Sequence, residues 1–317
     1  MAQPRKHHYV PRFYLANFSS LERKKQRIWV YEKGRKPRKS TPSLEGCRKD
    51  FYAFEENGQK NTEVETWFSN LEGAVAPLIA DLVSTKREPT PNERLRLSIF
   101  MGTLYTRTPL GRQLDEDIFA PAVAKQIKSV AHDAEAYYKL YAEFNPQSDS
   151  RELAEQARQE VLSGRSDELE VSDHFRLSSM IHVGIGYGEV LSAMNWQFIY
   201  SPEDQHFITS DNPVTCEVSD ADDPRAVHPR SGPNLPNALA MFPLTSRVCL
   251  TMHRGLQPGV GTAPAATVRI INKRLMSCAA KYIYASEFSV GLRDAFEKHG
   301  CLVPLEKLDL SYEGRKL

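Results

Sequence analysis

Apolar residues recur along this chain with changing spacing, and the changes divide it. Behind Pro11, Phe13 with Asn17 and Tyr14 with Phe18 stand four residues apart, which predicts a short helix within 9–18 anchored by Phe13, Tyr14, Leu15 and Phe18. RIWVYEK (27–33) reads as a strand, GRKP after it as a turn, and another extended piece ends at DFYAF. From Thr62 the period becomes helical. Thr62 and Glu65 fit a capping box, and Val64, Trp67, Phe68, Leu71, Val75, Leu78 and Leu82 follow at three- and four-residue steps, with a kink expected at Pro77.

The stretch EPTPNE reads as a breaker, after which LRLSIFMGTLYTR predicts a helix ending near Thr108-Pro109. Three or so further helices are expected over 113–190, with GRSDE as a loop. WQFIYS (196–201), HFITSD (206–211), ALAMFPL and SRVCLTMH then read as strands, and DADDPRAVHPRSGPNLPN as a long loop. Residues 265–285 return to helix, placing Val268, Ile271, Leu275, Cys278, Ala279 and Tyr282 on or near one face. The class is α+β: a basic arm and small β unit (1–60), a helical block (61–192) and a β-rich part with a covering helix (193–317), packed as one large domain.

Composition changes this picture through its distribution. The formal net charge is +1, but residues 1–50 hold 14 Lys/Arg against 4 Asp/Glu, a net of +10, which leaves −9 on the remainder. Such a segment attracts polyanions. Arg5, Lys6, Arg12, Lys24, Lys25, Arg35, Lys36, Arg38 and Lys39 are therefore the candidate contacts to RNA or DNA; solvated turns, or docking on the chain's own acidic part, are the plainer reading. Cys47, Cys216, Cys249, Cys278 and Cys301 are odd in number and contain no CxxC pair, as expected of a reduced, cytoplasmic protein. No apolar run suggests a signal peptide or a membrane span.

The candidate chemistry lies in KHHYVP and FITSDNPV. Adjacent side chains diverge in a strand or a helix, so His7 and His8 divide into one site imidazole and one structural hydrogen bond, with the assignment open. Asp211 follows a strand end, where a short acid can cap, bind a metal or orient an imidazole, and Pro213 holds Asn212 extended. His7, His8, Asp211 and Asn212 form the expected catalytic group. His8 and Asp211 are the expected ligands of a divalent metal, Mg²⁺ or Mn²⁺ before Zn²⁺, which would activate water for phosphodiester cleavage. Glu65 and Glu72, seven apart on one helix face, join the site, stabilise the first turns of the helix or meet Arg107. That arginine either grips a phosphate or carboxylate or forms an internal ion pair.

KHHYVPRFYLANF (6–18), CRKDFYAFE (47–55), ETWFSNLEGAVAPLI (65–79), RTP (107–109) and FITSDNPV (207–214) together resemble the family called domain of unknown function 4238, found mainly in bacteria. The resemblance runs from residue 6 to about 285. It implies that His7, His8, Pro11, Asp211, Asn212 and Pro213 belong to recurring motifs, and it implies no activity.

Other motifs fail. Ser210-Asp211-Asn212 lacks the SxxK and KTG partners of penicillin-recognising enzymes. HHYVP resembles the opening of a His-Asn-His nuclease finger, but no histidine follows Asn17 before His132. HExxH and the glycine-rich nucleotide loops are absent. Cys47 beside Arg48 and Lys49 has a thiolate-favouring neighbourhood without an identifiable base. The expected function is a metal-dependent nucleic-acid hydrolase, for which bacterial defence would be a setting. The alternatives are a non-catalytic nucleic-acid or protein interaction module, and a small-molecule hydrolase.

Overall fold

The computed structural model describes residues 6–22, 25–49, 54–56, 59–61, 63–114, 125, 127–144, 150–163, 173–218 and 232–300. The architecture is α+β. β1 (Lys6–His8) and α1 (Arg12–Ala16) open the chain, followed by β2 (Ser20–Glu22), β3 (Lys25–Glu32), β4 (Arg38–Ser40), β5 (Cys47–Lys49) and a small ribbon of β6 (Phe54–Glu56) and β7 (Gln59–Asn61). The helices α2 (Glu63–Thr85), α3 (Pro91–Thr106), α4 (Pro109–Leu114), α5 (Ala134–Phe144), α6 (Arg151–Leu162) and α7 (Asp173–Ala193) come next. β8 (Asn195–Tyr200), β9 (Thr209–Ser210), β10 (Thr215–Val218), β11 (Ala238–Thr245), β12 (Val248–His253) and β13 (Gly259–Thr262) lead to α8 (Ala265–Cys278), β14 (Tyr282–Ala285) and α9 (Val290–His299).

One sheet has the order β10-β11-β12-β8-β13, antiparallel except where β13 runs parallel to β8. β12 is buried from Val248 to Met252, and its alternate residues explain why. Val248, Leu250 and Met252 join a core with Phe68, Leu97 and Phe100 of the helical block, whereas Cys249 joins Val268, Ile271 and Leu275 of α8. A strand with period-two side chains, covered on both faces, has no need of polar alternation. The second sheet has the order β2-β3-β14-β9, with β4 beside β3. Strands from the first and last parts of the chain thus pair directly, Val30 opposite Tyr284.

Within the helical block α3 and α7 meet backbone to backbone. A Cβ on Gly102 would stand 2.0 Å from the Gly184 carbonyl oxygen and 2.5 Å from Gly188 N, so glycine is required by contact. The predicted α2 stripe is the buried one, with Phe68, Val75, Leu78 and Leu82 in the core; Pro77 lies inside the helix. Three expectations change. EPTPNE starts α3: Thr90 accepts from Glu93 N and the Glu93 carboxylate accepts from Thr90 N, a full capping box with Pro91 in the first turn. The helix predicted over 265–285 ends at Cys278, and Tyr282–Ala285 is a strand held between β3 and β9. HFITSD contributes only Thr209–Ser210 as strand. The Thr62 cap, the GRSDE loop, most of the Pro-rich loop with His228, and Cys301 lie outside the described residues.

Candidate functional site

β1 pairs antiparallel with β5, setting His7 opposite Arg48 and His8 opposite Cys47. The strand pair ends where Val10 N donates to the Gly46 carbonyl oxygen at 3.0 Å. Gly46 has φ +61°, and a Cβ there would sit 2.9 Å from the Val10 oxygen, so this junction needs glycine twice over. Two turns of α2 carry Glu65 and Glu72 on one face toward this ribbon. His7, 3% exposed, places Nε2 3.2 Å from Glu65 Oε2.

Glu72 takes a second basic side chain of the region. Arg107 Nη1 donates to Glu72 Oε1 at 2.8 Å, and its guanidinium lies 4.6 Å from the Phe68 ring centroid. Arg107 is 1% exposed, the internal ion pair among the sequence alternatives. His8 is close enough to Glu72 and Arg107 to feel the charge of both. Its imidazole hydrogen-bonds the Ser43 backbone, while Nε2 is buried with no hydrogen-bond partner among the described residues. Burial lowers its pKa, with Arg12 and Arg107 acting in the same direction and the Ser43 bond and Glu72 opposing. His8 is therefore a neutral imidazole at pH 7, with the bond to Ser43 fixing Nδ1 as donor and Nε2 as the basic nitrogen.

The TSDNP segment reaches this region through two other motifs. Tyr14 of α1, wholly buried and stacked on Phe242, donates to the Pro243 carbonyl oxygen at 2.8 Å and meets Thr209 Oγ1 at 2.7 Å. Thr108, next to Arg107, donates to Asn212 Oδ1 at 3.4 Å. Asp211 and Asn212 themselves fasten the α8–β14 connection. The Asp211 carboxylate accepts from Ala280 N at 2.8 Å, Lys281 N at 2.8 Å and Tyr282 N at 3.0 Å, and Asn212 Nδ2 donates to the Cys278 oxygen at 3.1 Å. Carboxylate and amide answer backbone groups left over where a helix stops and a strand starts. Asp211 is 2% exposed, and burial pushes its carboxyl up to about 6, the backbone N–H donors offsetting part of that rise.

Asp211 makes no hydrogen bond or ion pair with His7 or His8 among the described residues, yet its charge is felt by the buried hydroxyls of Tyr9 and Tyr284. Burial raises both phenols, and Tyr284 Oη has no hydrogen-bond partner among the described residues. Sequence reasoning passed over this tyrosine pair; the register of Tyr9 beside the HH motif was the available signal. Among the described residues no three His, Cys, Asp or Glu side chains converge as a metal centre requires. His8 and Asp211 as a ligand pair would have to recruit donors beyond those seen here.

The basic residues are spread over several elements. Arg12 is exposed on the first turn of α1, close enough to His8 to act on its charge. Lys25 is exposed at the start of β3, and Arg35 and Lys36 border a groove of about 350 Å³ at the β3–β4 turn. Arg38 in that groove is engaged by buried Glu45 through paired bonds of 2.6 and 2.9 Å. Lys39 Nζ sits 5.3 Å from the Trp29 ring centroid. Arg5 and Lys24 fall outside the described residues, and of Lys6 only the backbone pairing with Lys49 is described. No described helix is long and apolar enough to cross a membrane.

No curated protein and no solved structure matches the chain. A family model described as protein of unknown function (DUF4238) matches residues 6–289, which include the HH ribbon, the Arg107–Glu72 pair and the SDN clamp. The chain belongs to this family.

Proposed function

We propose that the chain is a nucleic-acid hydrolase of nuclease type, with His8 as its proton-accepting group. The observation that supports this reading is the His8 imidazole, held neutral, oriented through Ser43 and left with a basic Nε2 that has no hydrogen-bond partner among the described residues. A neutral imidazole near an arginine is suited to take a proton from an attacking hydroxyl while the cation offsets charge on a phosphoryl oxygen. Arg12 is the exposed cation in that position. Glu65 holds His7 of the ribbon and Glu72 holds Arg107 at the end of α3, so the two α2 carboxylates have positioning roles. Lys25, Arg35, Lys36 and Lys39 extend the contact along a phosphate backbone, which positions a strand without reading its bases.

A divalent ion, Mg²⁺ or Mn²⁺, is the second component of the proposal. Asp211 has three N–H bonds on its carboxylate, which leaves few lone-pair sites for a metal. The same saturation favours the second reading, a binding module in which SDNP is architecture.

The experiment incubates the full chain with short single- and double-stranded RNA and DNA, with Mg²⁺, Mn²⁺ or chelator, beside His8→Ala and Arg12→Ala. Cleavage that His8→Ala abolishes while the variant keeps its fold supports the hydrolase, and loss with chelator supports the ion. Salt-dependent binding with no cleavage under any condition replaces it by the binding module.

A further inference from the structure

At the far end of β14 from the SDN clamp, a cleft of about 640 Å³ opens between α8, α9 and the residues before β9. Its volume falls in the range of small-molecule sites. The walls are fixed by the protein's own bonds. On one side Asn272 of α8 accepts from Ile208 N at 3.1 Å and donates to the His206 oxygen at 2.8 Å, pinning the 206–208 segment. On the other, the Tyr31 hydroxyl donates to the Glu287 oxygen at 3.2 Å and accepts from Ser289 N at 2.9 Å, fixing the turn that starts α9.

The lining combines four kinds of group. Arg269 and Lys273, one turn apart on α8, are exposed, and neither has a carboxylate partner among the described residues. The first turn of α9 presents its N-terminal end, with Ser289 Oγ capping Leu292 N at 3.1 Å. Ser286 is 8% exposed, and its hydroxyl has no hydrogen-bond partner among the described residues. Phe288, 48% exposed although its ring lies 4.9 Å from Trp29, gives an apolar wall.

We propose that this cleft binds a small molecule with an anionic head, a phosphate or carboxylate, and a flat apolar body. Arg269, Lys273 and the α9 N-terminus take the head, because two cations and a helix dipole attract negative charge and N–H donors there lack intrahelical acceptors. Ser286 supplies a hydroxyl whose burial without a partner is otherwise a cost. Phe288 covers the body. Asp204 and Glu287 also line the cleft and act against an anion, so the assignment requires the cations to dominate.

Calorimetric titration of the full chain with inorganic phosphate, phenyl phosphate and zwitterionic phenylalanine tests this. Phenyl phosphate should bind saturably and more tightly than phosphate, and should lose about tenfold or more in Arg269→Ala/Lys273→Ala, as expected for removing a charge-assisted contact. Both substituted residues are exposed, so circular dichroism should show an intact fold. His8→Ala should bind phenyl phosphate as the parent does, which separates this cleft from the proposed hydrolase site. No saturable binding, equal binding by the double variant, or tighter binding of phenylalanine than of phenyl phosphate would overturn the proposal.

Discussion

Asp211→Asn keeps the side chain's shape and replaces one acceptor oxygen by a donor. The native carboxylate serves three backbone N–H groups through two oxygens. One amide oxygen can answer two of them at most, and the amide N–H₂ then faces the third, a cost of about 1–3 kcal/mol for one unmatched buried donor. Charge acts oppositely. With its carboxyl at about 6 against an ordinary 3.8, the folded chain keeps a proton that the unfolded chain releases. Stability from this group is therefore complete below about pH 3.8 and lost as pH rises through about 6, a change of ~3 kcal/mol at ~1.36 kcal/mol per pH unit.

Asparagine has no such proton. The parent at pH 4 is the protonated acid, which like the amide has one full acceptor oxygen, so the variant should lie within about 1 kcal/mol of it there and be more stable than the parent by about 2–3 kcal/mol at pH 7. At about 2.1 cal/mol/K per residue, a swing of that size corresponds to about 4–5 °C in Tm for a chain of this length. Urea unfolding of both proteins from pH 4 to 7, checked against Tm, measures it. A difference that stays constant, or moves in the parent's favour toward pH 7, would mean that the three N–H donors outweigh desolvation and would refute the reasoning.

Other substitutions test the remaining architecture. Gly102→Ala should drive a methyl into the Gly184 carbonyl and cost more than about 3 kcal/mol, or prevent accumulation of folded protein, whereas Gly186→Ala meets nothing within 4 Å and should stabilise by a few tenths to about 1 kcal/mol; thermal unfolding compares them. Tyr14→Phe removes the hydroxyl that joins α1 to Pro243 and Thr209 and should cost about 1–3 kcal/mol in urea. Arg107→Met should cost about 2–4 kcal/mol by stranding Glu72, and adding Glu72→Gln should recover part of the loss in a double-mutant cycle.

The elements legible in the sequence were those whose signal is local. The α2 stripe, the strand at Ile28 and Val30, and the strands around Phe198 and Leu250 follow from spacing and side-chain type. EPTPNE does separate α2 from α3, but its last three residues already form the first turn of α3, because the Thr90–Glu93 pair makes Pro91 a helix start. The run after Cys278 misled because Ala279 and Tyr282 continue a helical spacing, although Tyr-Ile-Tyr favours a strand once β3 and β9 flank it. Asp211 could be recognised as important but not as a clamp, since its partners lie 69 to 71 residues onward.

By itself the sequence determined the α+β class, the family and the histidine, arginine and SDN motifs, because periodicity and residue type are written locally. Only the tertiary structure decided which histidine nitrogen lacks a partner among the described residues, which carboxylate holds the ribbon, and how the first and last strands meet. Those outcomes depend on burial and on contacts between distant segments. The Nε2 of His8 stays basic because folding removes water from it and, among the described residues, supplies no replacement partner.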